Sequence, residues 1–278
     1  MRGVLLAKRN FKELLREPMS LVFSLGLPAV LLCAFRLISY YANGHWMALS
    51  DLVPGVAVFS LTFMMLYMTL LVSGDRSSAF LSRLYNAPVR AVDFIVGYAL
   101  PGVALGVLQS LITYAMGFLV CLVPDGKIVA NGVEIATKSI DYTTLPPTSV
   151  EGTALLPFGG AFAATLATLP AIVLFVSLGI LLGTLLTERA APGVSSAVIT
   201  ASGLLGGAWM PLSDMGGFEK LCRFLPFYPA TTLARTCFML QAPTLENVVL
   251  PLVTVGAFAI LSFVGACLCF SLKMQGRS

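Results

Sequence analysis

One stretch, DRSSAFLSRLYNAPVRAVDF, Asp75 to Phe94, sets charged side chains that could act on a partner between two long apolar runs. Arg76 and Arg83 stand seven residues apart and share one helical face, while Phe80 and Leu84 lie one turn apart on a neighbouring face. The pattern predicts a short amphipathic helix from about Arg76 to Tyr85. It should end near Asn86 and Ala87, because the residue before Pro88 is disfavoured in the helical region, and Pro88 can open the next helix. Taken alone, the segment reads equally as a solvated turn whose arginines mark the cytoplasmic side and as a functional elbow between two membrane spans.

Groups able to make or break bonds are scarce elsewhere. His45 is the sole histidine and stands beside Trp46 in a short loop, the setting of an interface residue rather than a base. No paired carboxylates or nucleophile motif fall in an apolar stretch. No G-x-x-x-x-G-K-[ST] phosphate loop is present, so ATP hydrolysis by that route is excluded and any pumping must draw its energy from another protein. Four of the six cysteines, Cys33, Cys121, Cys267 and Cys269, lie in apolar runs as small hydrophobes. Cys222 and Cys237 fall in one loop, where oxidising conditions would allow a disulfide. No spacing suits a metal site.

The elements that must position the elbow follow from composition. Hydrophobic residues make up 58% of the chain and charged ones 11%, against roughly 25% charged in a soluble domain. This is an integral membrane protein. Six stretches reach the ~18 apolar residues that cross a bilayer core of about 30 Å as a helix: Met19 to Tyr40, Leu52 to Gly74, Phe94 to Val123, Phe158 to Thr187, Gly193 to Leu212 and Val248 to Leu272. Their middles lack Asp, Glu, Lys, Arg and His, and Gln109 is the most polar side chain there. The lysines and arginines of the short loops favour both termini inside, in the cytoplasm of a multi-pass cell (plasma or inner) membrane protein. The net charge of +4 is thus a topology signal, and a nucleic-acid partner has no basic patch to meet. The long charged region before Ser20, with Leu32 as a poor cleavage residue, argues against a signal peptide.

Residues 1–18 read as an amphipathic interfacial helix, with Val4, Ala7, Phe11, Leu14 and Leu15 on one face and Lys8, Arg9, Lys12, Glu13 and Arg16 on the other. Leu5 and Leu6 break the pattern. In the outer loop, residues 124–157, β-prone runs flank Asn131-Gly132 and predict a small hairpin. Residues 211–247 are too apolar for a free loop and too rich in proline (Pro211, Pro226, Pro229) for a span. They predict two short helices, near Phe218 to Phe224 and Ala230 to Leu240, folded back into the outer leaflet. Glycines four apart at Gly102/Gly106, Gly179/Gly183 and Gly203/Gly207 predict close helix contacts within one subunit.

The order of these features resembles the permease subunits of type 2 ABC exporters across nearly the whole chain. Asp75-Arg76, Leu84 and Ala87-Pro88-Val89 match that family's segment after the second span; Gly207, Pro211, Leu212, Pro226 and Pro229 match its proline-rich return. The sequence departs at Ser77-Ser78-Ala79, where the family carries a glycine, and in the length of the outer loop. The resemblance implies an all-α single domain, residues 1–278, of six spans. Residues 75–93 would be a cytoplasmic coupling elbow. Arg76, Phe80, Arg83, Leu84 and Pro88 would engage a separate cytoplasmic ABC ATPase carrying ATP and Mg, with no cofactor or metal on this chain. Two copies, or this chain and a related permease, would form the pore. Phe59, Phe63, Met64, Tyr67, Leu204 and Leu205 would line the substrate cavity, and Pro211, Pro226 and Pro229 would shape the outer gate. The cargo would be a hydrophobic or amphipathic drug, antibiotic or lipid-like molecule. The alternatives are an ATP-independent carrier or channel and a non-transporting membrane anchor for an ATPase; a membrane-embedded enzyme finds no catalytic group.

Overall fold

The computed structural model describes residues 2–14, 16, 26–41, 49–77, 91–121, 128–130, 133–135, 158–209, 212 and 216–275. Helices dominate: α1 (Arg2–Leu14), α2 (Leu27–Tyr41), α3 (Leu49–Ser77), α4 (Ala91–Cys121), α5 (Phe158–Ala167), α6 (Leu169–Leu185), α7 (Ala191–Leu205), α8 (Gly217–Phe224), α9 (Phe227–Phe238) and α10 (Leu250–Gln275). A short π-helical segment, Leu245–Val249, leads into α10. Between α4 and α5, strands β1 (Ile128–Ala130) and β2 (Val133–Ile135) pair antiparallel, Ile128 opposite Ile135 and Ala130 opposite Val133. Two residues join them, so the strands run on either side of Asn131-Gly132.

Among the described residues three helices are long and apolar enough to cross a membrane: Leu49–Ser77, Phe94–Val120 and Leu245–Leu272. The pair α5–α6 makes a fourth if taken as one span, bent by 46°. The sequence reading treats Phe158 to Thr187 as a single span, and Pro170 is why it bends. Proline supplies no N–H to the helical ladder at the start of α6. At the break, the buried Thr168 hydroxyl donates back to the carbonyls of Ala164 (2.8 Å) and Thr165 (3.2 Å). The remaining two expected spans correspond to shorter apolar helices, Leu27–Ile38 and Ala191–Leu205.

A helix that is apolar all round belongs in the middle of a bundle, and α3 is that helix: 83% of its apolar window is buried, against 22% for the last helix. It contacts α2, α4, α6, α7 and α9. Along α10, Leu252, Val253, Ile260, Leu261, Val264 and Leu268 are exposed, an outward apolar face suited to lipid. One core joins α3, α4, α6 and α10 through Met65, Met68, Tyr98, Phe175 and Phe270; a second, nearer the N-terminal end of α3, joins Leu32, Val53, Val56, Tyr114 and Phe238.

Glycine makes the α3–α6 contact. A Cβ on Gly179 would stand 2.5 Å from the Met65 carbonyl oxygen and one on Gly183 2.8 Å from that of Thr69, so the two backbones touch. The Thr69 hydroxyl crosses the seam to the Gly179 carbonyl at 3.2 Å. Gly102 and Gly106 likewise admit Val176 and Ile172 of α6 against α4. These glycines serve packing within the chain. Overpacking a tight seam costs about 1–3 kcal/mol, so Gly179→Ala should lower the melting temperature in detergent. Gly256, which has open space around it, is the control: Gly256→Ala should leave melting unchanged or raise it, since alanine restricts the unfolded chain. Thermal scans of both variants check this.

Candidate coupling site

Asp75 stands in the last turn of α3 and is only 6% exposed. Two effects oppose a carboxylate there: burial removes its hydration, and the C-terminal end of a helix carries partial negative charge. Arg9 of α1 answers both. Its Nη2 donates to Oδ1 at 3.0 Å and its Nη1 to Oδ2 at 3.3 Å, a two-pronged pair. The Tyr98 hydroxyl of α4 also donates to Oδ2. One carboxylate therefore joins α1, α3 and α4.

Around it the helices are stitched at further points. Asn10 is fully buried, and its Nδ2 donates to the Gly97 carbonyl of α4 at 3.1 Å. Leu6 lies so close that a Cβ on Gly97 would stand 2.7 Å from its Cδ2. Leu6, Asn10 and Leu14 recur every four residues, giving α1 a stripe that faces the bundle. The Tyr67 hydroxyl donates to the Leu14 carbonyl, satisfying one of the last carbonyls of α1. Arg9 also reaches Glu13 Oε2 at 2.8 Å, one turn along α1. Burial opposes the charge on the Arg9 guanidinium, but the Asp75 hydrogen bond and the charges of Asp75 and Glu13 outweigh it and raise its pKa. The neighbouring Arg76 donates through Nη1 to the Thr184 carbonyl near the end of α6. The ends of α3 and α6 are thereby tied together.

Of the residues expected to engage a partner, Arg76 is half-buried at this junction, and Phe80, Arg83, Leu84 and Pro88 lie outside the described residues. In α1, Lys8, Phe11 and Lys12 are exposed, and Leu15 lies outside the described residues. Among the cavity candidates, Phe59 is buried edge-on against Phe63 (5.5 Å between ring centres) and Trp209 (4.5 Å). Met64 and Tyr67 are buried in the core, Phe63 and Leu205 are half-buried, and Leu204 is exposed. The structure thus brings Phe59 to the end of α7, where a Cβ on Gly203 would stand 3.2 Å from its ring, while Met64 and Tyr67 hold helices together. Pro226 precedes α9 and Pro229 lies in its first turn, both buried; Pro211 lies outside the described residues. Cys222 and Cys237 are both free thiols.

Arg9, Asn10, Gly97 and Tyr98 escaped the sequence reading. Arg9 sits among Lys8, Lys12 and Arg16 and looks like one more solvated cation. The available signal was Leu6, which broke the expected amphipathic face because it belongs to a different, inward one.

A bundle of apolar helices of membrane-crossing length around one buried strut defines a multi-pass membrane protein. The ABC-2 type transporter family model matches residues 3–129, the stretch from α1 through α4 that holds the Asp75 junction, and over that stretch the chain is similar to that family. No curated protein matches the chain.

Breaking a fully buried ion pair costs about 3–5 kcal/mol, and the 35% exposure of the Arg9 side chain reduces that through solvent screening. Asp75→Asn should therefore destabilise the protein by about 1–3 kcal/mol, and Tyr98→Phe by about 1 kcal/mol. A double-mutant cycle of Arg9→Gln with Asp75→Asn, read by denaturant or thermal unfolding in detergent, should show the two substitutions to be less than additive.

Proposed function

We propose that this chain is the membrane-embedded permease subunit of an ATP-binding cassette exporter, moving a hydrophobic or amphipathic molecule outward with energy from a separate ATPase. The observation that carries the reading is the family match over residues 3–129, because it spans both flanks of the Asp75 to Phe94 elbow. A permease of the ABC-2 type works with an ABC ATPase partner. In the proposed arrangement the chain crosses the membrane six times with both termini in the cytoplasm. ATP and Mg reside on the partner, this chain carries no catalytic group, and two permease copies or a related pair enclose the pathway.

The Asp75 junction supports a specific route for the force. Residues 78–90 connect α3 to α4, and Asp75, Arg76, Phe94 and Tyr98 lie just beyond the two ends of that connection. A push from the ATPase on Phe80, Arg83 and Leu84 would reach helices already bound to α1 through Arg9 and to α6 through Arg76. The cluster would move as a block, and packed helices switch between discrete arrangements rather than deform smoothly. Apolar spans without mid-membrane charges favour a cargo that also partitions into lipid.

Mild-detergent purification of the tagged protein should bring down an ATPase that has a phosphate loop. Phe80→Asp with Leu84→Asp should reduce its recovery about tenfold or more, about 1.4 kcal/mol of binding, while the melting temperature of the permease stays unchanged. Retained ATPase binding by the double variant would remove the elbow from the mechanism. A wild-type preparation without an ATPase, even after crosslinking, would return the chain to the ATP-independent carrier reading.

A further inference from the structure

At the opposite end of α3, about 36 Å from Asp75 by the 1.5 Å rise per residue, a second arginine joins three elements. Arg235 of α9 has a side chain only 18% exposed. Its Nη2 donates to the carbonyl of Gly207 at 2.7 Å and reaches that of Ala208 at 3.5 Å. Its Nε donates to the carbonyl of Asp51, in the first turn of α3, at 3.0 Å, with the Asp51 carboxylate at 3.9 Å. Most of these partners are backbone carbonyls. Those of Gly207 and Ala208 follow the C-terminus of α7, where helical pairing stops and the carbonyls carry partial negative charge. Buried carbonyls there need a donor, and Arg235 provides it.

The segment it holds is built as a joint. Gly207 has φ +61°, a left-handed turn open to glycine. Ala208 lies directly on α3, since a Cβ on Gly55 would stand 2.3 Å from its carbonyl oxygen. Trp209 then inserts its ring between Phe35 (6.3 Å) and Phe59 (4.5 Å), with Gly203 beneath it. Residues 206–209 are thus fixed by one guanidinium fork and one aromatic ring at the junction of α3, α7 and α9.

We propose that Arg235 is the positioning residue that clasps the outer gate, holding α9 against the ends of α3 and α7, and that its release from the Gly207 and Ala208 carbonyls frees the Trp209 joint. The proposal deepens the exporter reading and rests on it for which end faces outside. Opening the clasp would exchange the Gly207 and Ala208 carbonyl contacts of the guanidinium for water. Arginine is needed because its fork addresses Asp51 and Gly207 at once, which a lysine ammonium on a flexible stem does poorly.

Tryptophan fluorescence tests this, because the chain has two tryptophans and Trp46→Phe leaves Trp209 as the sole reporter. In that background, purified with its ATPase, Arg235→Ala should give red-shifted Trp209 emission and steeper acrylamide quenching. Arg235→Lys should fall between it and the parent. MgATP added to the parent complex should move the signal toward that of Arg235→Ala. Unchanged emission and quenching in Arg235→Ala overturns the clasp, and if that variant does not fold, unchanged values in Arg235→Lys do so. A parent signal indifferent to MgATP while the ATPase is bound and hydrolysing overturns the gating role. Absence of any co-purifying ATPase counts against the exporter reading instead, and leaves the comparison of Arg235 variants to decide the clasp.

Discussion

A single buried carboxylate organises one end of this protein. Asp75 occupies a position that burial and the helix dipole both make unfavourable for negative charge, and Arg9 and Tyr98 meet it there from two other helices. That meeting brings α1 onto the bundle, sets the start of α4 beside the end of α3, and places the connection between them on a rigid footing. Remove the carboxylate and α1 keeps its Leu6 and Asn10 contacts with Gly97, but the charge-bearing link that ties α1 and α4 to the last turn of α3 is gone.

The two ends of α3 solve different electrostatic problems. At Asp75 the charge is met by a two-pronged countercharge, an arrangement that is costly to separate because the buried carboxylate would be stranded in low dielectric. At Asp51 the guanidinium of Arg235 meets peptide carbonyls of α3 and of the segment after α7, with the Asp51 carboxylate 3.9 Å away. Between the ends, α3 is joined to α6 by backbone contact at Gly179 and Gly183 and to α4 by the Gln109 amide, which donates to the Ser60 carbonyl at 2.7 Å. Along this seam the close-packed backbones have little room to yield.

An interfacial reading of α1 and a docked one are compatible once its faces are separated. Lys8, Phe11 and Lys12 are exposed, whereas Leu6, Ala7, Asn10 and Leu14 are turned toward the bundle. A helix with two such faces can rest on the membrane surface and still pack into the bundle. Among the described side chains of α1, Phe11 is the large apolar one that is exposed, which is the chemistry a headgroup region accepts beside lysine.

Much was legible in the sequence because bilayer physics is blunt. Long apolar runs without charge specify helices of membrane-crossing length, Asn131-Gly132 places a hairpin turn, and glycines four apart announce close helix contacts. Those are properties of a residue and its near neighbours. Which cation of α1 would be buried was different: Arg9 is chosen from among Lys8, Lys12 and Arg16 only because Asp75, 66 positions away, arrives at its side. Asn10 and Tyr98 acquire roles in the same way, as does Arg235, whose carbonyl partners carry no side-chain signature at all. Local pattern determined what this protein is made of and that it lives in a membrane. Tertiary structure decided which polar groups meet, because a hydrogen bond between distant segments depends on where the chain returns in space, and periodicity along the chain holds no record of that.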